Sequence, residues 1–154
     1  METKIVETNY KEIEKLVVGV VFGKEYISTL SVNDFARNDF KLEINGIVVI
    51  GEIKERNFNS TDFRNEGWIL EKSKLDALAE LKNKEINKSY IVYINYFNKD
   101  NTIVVWNLGK VNRKEVVVKE MNKTTNSNFR YSGVKTNKEV FFLKLENAYK
   151  VIKC

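Results

Sequence analysis

Histidine and proline are both absent from this 154-residue sequence, and cysteine occurs once, as Cys154. Without histidine the chain has no triad base, no imidazole metal ligand and no histidine-centred catalytic motif. A single cysteine excludes an internal disulfide and a multi-cysteine zinc site. Any chemistry must therefore rest on carboxylates, lysines and metal.

Long apolar runs are also absent, since no stretch approaches the length that a transmembrane helix requires. The first residues, Met1-Glu2-Thr3-Lys4, contain no apolar signal segment. Hydrophobic residues make up 43% of the chain and charged residues 31%, which is typical of a globular protein. We therefore expect an intracellular, cytoplasmic protein without membrane association.

The chain carries a formal net charge of +5. A basic surface suits a polyanionic partner, because each phosphate that Lys or Arg neutralises releases counterions. The length fits one domain, and neither an internal repeat nor a linker divides it. We predict a single domain over residues 1–154, with a core at about 9–110 and a β-rich extension at 111–154.

Hydrophobic patterning predicts an α/β fold in which a mixed central β-sheet is flanked by helices. A helix capped by Thr8 or Asn9 is expected to run to Phe22, although its valine-rich part from Leu16 is also compatible with a strand. The other predicted elements are a helix at Trp68–Asn83 and strands at Tyr26–Ser31, Asp39–Ile44, Ile47–Lys54, Lys88–Phe97 and Thr102–Leu108. The order is αβββαβ, and the strand-like runs after residue 110 are expected to extend the sheet as a C-terminal β extension.

The clearest local signal is Asn45-Gly46 between two β-rich runs. This pair favours a type I′ hairpin turn, in which both central residues need positive φ. In a two-residue hairpin the register then places Asp39 directly opposite Glu52. Directly opposed residues point to the same face of a sheet, and Lys54, two residues further along, shares that face.

Two carboxylates this close repel each other unless a cation or proton lies between them. Mg²⁺ or Mn²⁺ resolves that conflict, with Asp39, Glu52 and the Ile53 carbonyl as candidate ligands and open positions left for phosphate and water. Lys54 is then placed to orient the attacking water or to stabilise the transition state. Arg56, again on this face, is a candidate ligand for a neighbouring phosphate.

The alternative is that these charges form the solvated face of an amphipathic hairpin. A Glu-x-Lys pair also occurs at Glu2 and Lys4, so the pattern has little specificity by itself. Apolar residues on both faces of the second strand, however, indicate that the strand is covered on both sides. Carboxylates on a buried strand are costly and therefore more often functional.

The acidic residue Asp39 opening one strand, followed by a turn and by Gly51-Glu52-Ile53-Lys54 closing the next, resembles the PD-(D/E)XK nuclease superfamily over about residues 9–97. The resemblance implies a restriction-endonuclease-like core and Mg²⁺-dependent hydrolysis of DNA phosphodiester bonds. It implies Asp39 as the first acid, Glu52 as the second and Lys54 as the motif lysine. Asn38 stands where the motif has proline, and Asp34 is an alternative first acid if the loop is arranged differently.

Members of this superfamily also place a polar residue of the helix after the motif strand near the scissile phosphate. Glu71, Lys72 and Lys74 are the candidates, and Lys74 is preferred. The first helix sometimes supplies a further carboxylate, for which Glu14 is a match. A solvated helix face is the ordinary alternative for each of these residues.

Lys72 and Arg130 join Arg56 as predicted DNA contacts. Arg130 lies in Phe129-Arg130-Tyr131, where aromatic and basic residues alternate within the polar segment 122–138, and such a segment suits stacking and backbone binding. The aromatic residues of the strand at Lys88–Phe97 are more simply explained as core.

The favoured function is a metal-dependent DNA endonuclease, compatible with phage origin. The alternative is a nuclease-like module without turnover that binds nucleic acid or protein, since fold alone does not establish activity. A structural phage component would not need the basic surface. Symmetric cleavage of two strands would favour a homodimer.

Overall fold

The structure is a computed structural model that describes residues 10–23, 31–32, 40–63, 65–124 and 131–154. Within these ranges, neither helix is long and apolar enough to cross a bilayer. The helices are α1 (Tyr10–Phe22) and α2 (Lys72–Asn83). The strands are β1 (Ser31–Val32), β2 (Phe40–Ile44), β3 (Ile47–Arg56), β4 (Trp68–Glu71), β5 (Ser89–Phe97), β6 (Thr102–Asn107), β7 (Val117–Thr124), β8 (Tyr131–Leu143) and β9 (Lys150–Lys153).

The predicted mixed α/β class is confirmed, and the central element is a six-stranded sheet in the order β1-β2-β3-β5-β6-β9. Its only parallel pair among the described strands is β3 with β5, and this pair runs from Val48 beside Ser89 to Arg56 beside Phe97. All its other pairs are antiparallel. Because β3 and β5 are parallel, their carboxyl ends meet at one edge of the sheet.

The β2–β3 hairpin forms in the predicted register. Five pairs connect the strands, from Ile44 beside Ile47 at the turn to Phe40 beside Gly51. Asn45 and Gly46 both have positive φ, at 50° and 81°, as a type I′ turn requires. Asp39 itself lies outside the described residues, so its predicted position opposite Glu52 stays a prediction.

Two predicted features of the fold are wrong. Trp68–Glu71 is not the first turn of a helix but strand β4, which pairs with β8, and α2 begins only at Lys72. The region after residue 110 does not simply extend the central sheet, because β7 and β8 join β4 in a separate three-stranded sheet, and only β9 adds to the central one. In both cases long-range strand pairing overrides local preference. The predicted strand at Tyr26–Ser31 lies outside the described residues except for Ser31, which belongs to β1.

The central sheet separates two apolar cores. On one face, Val17 and Val18 of α1 pack against residues such as Phe40, Val49 and Ile94. The valine-rich part of α1, for which a strand was the alternative, is helical. On the other face, α2 and the three-stranded sheet cover a second core, whose central-sheet members include Val48, Ile50, Tyr93, Val104 and Trp106. Since β3 is covered on both faces, any charged group on its inner positions has a structural cost.

Candidate active site

Glu52, Lys54 and Arg56 occupy alternate positions of β3, on the face that α2 and the three-stranded sheet cover. Val48 and Ile50 precede them on the same face and are buried. Solvent exposure on this face increases towards the carboxyl end of the strand, since Glu52 is partly buried and Lys54 is exposed. The carboxyl end of β3 therefore presents charged groups at the boundary between core and solvent.

Lys74 of α2 lies beside Glu52, with its Nζ atom 3.6 Å from Glu52 Oε2. Both side chains are only partly accessible, at 29% for Lys74 and 20% for Glu52. The buried residues Leu75 and Leu78 anchor α2 against the sheet, which directs Lys74 towards β3. The structure thus brings together two of the predicted site residues that lie on different elements.

The guanidinium group of Arg56 forms hydrogen bonds with other residues of the protein and does not point only into solvent. Its Nε donates to Asn95 Oδ1 at 2.7 Å, and its Nη2 donates to Tyr93 Oη at 3.1 Å and to the Ile69 carbonyl at 3.2 Å. The bond to Ile69 joins the central sheet to β4, and the other two link β3 with β5 within the sheet. These bonds occupy the Nε and Nη2 atoms of Arg56. The predicted contact with phosphate is therefore limited to the remaining nitrogen, Nη1.

Tyr93 and Asn95 are the site residues that sequence reasoning missed. They stand beside Glu52 and Lys54 in the parallel β3–β5 ladder, and both are buried. Burial raises the pKa of Tyr93 to about 12, with the Glu52 carboxylate adding to the shift and Arg56 opposing it. The phenol is therefore neutral at physiological pH and accepts a hydrogen bond from Arg56. The sequence feature that could have indicated this site is the polar residue Asn95 within the largely apolar segment that forms β5.

Of the other predicted residues, the structure describes Ile53 and Lys72, and Lys72 lies apart from this point. Ile53 is buried in the core that faces α1, so only its main-chain carbonyl is a candidate metal ligand. Lys72 donates to Asp76 at 2.8 Å, and Asp76 also accepts from Arg113, which places Lys72 in a separate charge cluster. Asp34, Asp39 and Arg130, as well as the side chain of Glu14, lie outside the described part of the chain.

Neither the models of known protein families nor the curated proteins contain a match to this chain.

Of the residues predicted as metal ligands, the structure describes Glu52 and Ile53. Within the described ranges, no three Asp, Glu, His or Cys side chains come together as a metal site. The side chain of Glu52 is partly accessible. A hard, oxygen-preferring cation such as Mg²⁺ fits this chemistry better than zinc, because the chain has no histidine and its single cysteine is Cys154.

Hydrogen bonds between Ser60 and Asp100 hold the loop between β3 and β4. Ser60 Oγ donates to Asp100 Oδ2 at 2.5 Å, and the Ser60 amide donates to both carboxylate oxygens. Desolvation by itself would raise the pKa of the Asp100 carboxyl, but the hydrogen bonds from Ser60, together with that from Thr102, outweigh it and hold the pKa below its ordinary value. The loop is thus tied to the β5–β6 turn.

Replacing Ser60 by alanine is expected to lower the free energy of unfolding by about 1.5 kcal/mol at pH 7, as for loss of a hydrogen bond to a charged group. Because the folded pKa of Asp100 is depressed, this contribution is present above the ordinary pKa of 3.8 and is lost as the pH falls through the folded value. Urea unfolding at pH 7 and pH 3 measures it. Thr61→Ala is the matched control, and an equal loss at both pH values would contradict the prediction.

Proposed function

We propose that this protein is a metal-dependent DNA endonuclease of the PD-(D/E)XK kind. The observation that carries the proposal is the meeting of Glu52 and Lys74 beside Lys54 at the carboxyl end of β3. A carboxylate and two amines at the edge of a covered sheet suit a phosphodiester, which needs positive charge around its oxygens and an acidic ligand for the ion.

The topology supports the same proposal. The hairpin β2–β3 precedes α2, and the strand after α2, β5, pairs in parallel with β3. That order is the one the resemblance implies for the core, with β4 as an addition between β3 and α2. The net charge of +5 supports a polyanionic substrate.

Each residue has a distinct proposed role. Glu52 and Asp39, with the Ile53 carbonyl, are the proposed ligands of Mg²⁺ or Mn²⁺. The bound ion supplies Lewis-acid activation of water and of the phosphoryl oxygens. Lys54 orients the water or offsets charge on the phosphate, and Lys74 holds the Glu52 carboxylate in place and adds positive charge. Arg56, Tyr93 and Asn95 fix the end of β3 relative to β4, so that the charged groups keep one geometry.

The test is cleavage of labelled duplex, branched and single-stranded DNAs with Mg²⁺ or Mn²⁺, compared with the same reactions in excess chelator. We expect metal-dependent cutting of at least one of these DNAs. Folded protein that cuts none of them with either ion would reject the endonuclease and favour a binding module.

A further inference from the structure

A small cavity lies beyond the proposed active site, between the carboxyl end of β3 and strand β4. Its walls include Arg56, Phe58, Phe63, Trp68 and Lys119, and its volume is about 130 Å³. Pockets for drug-sized ligands are roughly 300–1,000 Å³. This cavity, called the aromatic pocket below, therefore suits one flat ring rather than a larger ligand.

Three aromatic rings meet at the pocket. The ring centroids of Phe58 and Phe63 are 5.5 Å apart, and those rings lie 5.8 Å and 5.4 Å from Trp68. Phe58 is 42% exposed and Phe63 is 50% exposed, whereas Trp68 is buried. Both phenyl groups thus pack against a buried residue while about half of each side chain stays exposed, which leaves ring surface for a ligand.

Hydrogen bonds hold the described part of the loop that carries the phenyl groups. Phe63 has a φ of 55°, a left-handed conformation that is strained for a bulky residue. The Phe63 carbonyl accepts from the amides of Glu66 and Gly67, and the Ser60–Asp100 bonds hold the loop on its other side. The left-handed φ of Phe63 belongs to a hydrogen-bonded turn that holds its exposed ring beside Trp68.

The charge around the aromatic pocket is positive. The Arg56 guanidinium lies 5.5 Å from the Trp68 ring, and Lys119 Nζ lies 5.3 Å from the Phe142 ring. Glu66 offsets part of this charge, with its Oε1 atom 3.5 Å from Lys119 Nζ. The Nη1 atom of Arg56 makes no hydrogen bond within the described residues, so it is available to a phosphate oxygen.

We propose that the aromatic pocket binds one unstacked base of single-stranded DNA, with the adjoining phosphate at Arg56. Aromatic faces with nearby cations are the usual means by which proteins hold single strands, whereas the bases of a duplex are already stacked on each other. The identity of the strand as a nuclease substrate rests on the proposed function. The pocket indicates that the substrate is DNA with an unpaired segment, such as a flap or a bubble.

The distance from the pocket to Glu52 fits this arrangement. Arg56 follows Glu52 by four residues on the same face of β3, which is roughly 13 Å along the strand. At the duplex rise of roughly 3.4 Å per nucleotide, this span covers about four nucleotides, and fewer in an extended strand. A base held in the pocket therefore sets which phosphate lies near Glu52.

The test uses fluorescence anisotropy of labelled single-stranded and duplex oligonucleotides in excess chelator, so that no cutting occurs. Phe58→Leu and Phe63→Asn remove one ring each, and asparagine tolerates the left-handed conformation at position 63. Each variant is expected to weaken single-strand binding by about tenfold or more, and duplex binding by less than about twofold. Tyr149→Leu removes an exposed aromatic residue elsewhere on the surface and is expected to bind as the wild type does.

Equal single-strand affinity in wild type and both phenylalanine variants, or no single-strand binding by the wild type, would overturn the inference. Ring-dependent binding without cleavage of any DNA would support the pocket while rejecting the endonuclease. Single-strand binding that does not depend on either ring, together with metal-dependent cleavage, would support the endonuclease while rejecting the pocket.

Discussion

Glu52→Gln is expected to reduce metal-dependent DNA cleavage by more than about 100-fold, since even residues that only support a metal ligand change metal affinity or activity by about 10–100-fold. The amide keeps the size of the side chain but removes the negative charge that the proposed ion and Lys74 require. Single-turnover cleavage at several Mg²⁺ concentrations measures the change. If excess metal restores the rate, Glu52 contributes mainly to metal affinity.

The matched control for this prediction is Glu55→Gln, a change of the same kind on the same strand. Glu55 lies on the opposite face of β3, where its Oε1 atom is 3.5 Å from Asn98 Nδ2. Cleavage by this variant is expected to stay within about twofold of the wild-type rate. Equal losses in both variants would mean that the carboxylate at position 52 has no special role, and that β3 responds to charge removal in general.

The largest expected effect on stability comes from Gly51→Ala. A Cβ atom at this position would lie 2.6 Å from two ring carbons of Phe40 and 2.8 Å from Val92 Cγ2. Both neighbours belong to the buried core between the central sheet and α1, so neither moves without disturbing others. We expect the free energy of unfolding to fall by about 3 kcal/mol, the upper part of the range for overpacked cores. Urea unfolding monitored by circular dichroism measures it.

A double-mutant cycle separates the clash from other effects of the alanine. Phe40→Leu removes the ring carbons that the new Cβ would meet. We expect Gly51→Ala to cost less by about 1–2 kcal/mol in the Phe40→Leu background than in the wild type, which is within the usual range for residues in contact. Strict additivity would show that the ring of Phe40 is not what restricts position 51.

Local sequence signals predicted the β2–β3 hairpin correctly because its register depends only on the turn. Asn45 and Gly46 accept positive φ at low cost, and a two-residue turn fixes every pair that follows. The common face of Glu52, Lys54 and Arg56 follows from the same alternation. All of α2 lies within the predicted helix, because its apolar residues recur with helical spacing, whereas the valine-rich part of α1 was also compatible with a strand.

Long-range pairing explains why Trp68–Glu71 was predicted wrongly. These four residues are strand β4 only because β8 lies beside them, and β8 begins some 60 residues later in the chain. The same pairing moves β7 and β8 out of the central sheet. A window of local sequence contains no information on such a partner.

The sequence by itself determined which residues of β3 share a face and that the chain has no histidine and a single cysteine, which leaves carboxylates as the main metal ligands. Only the tertiary structure decided that Lys74 stands beside Glu52 and that Tyr93 and Asn95 hold Arg56. It also gathered Phe58, Phe63 and Trp68 around one pocket. The physical reason is that alternation and turn geometry are local, whereas contacts between α2, β3, β4 and β5 depend on how the layers pack.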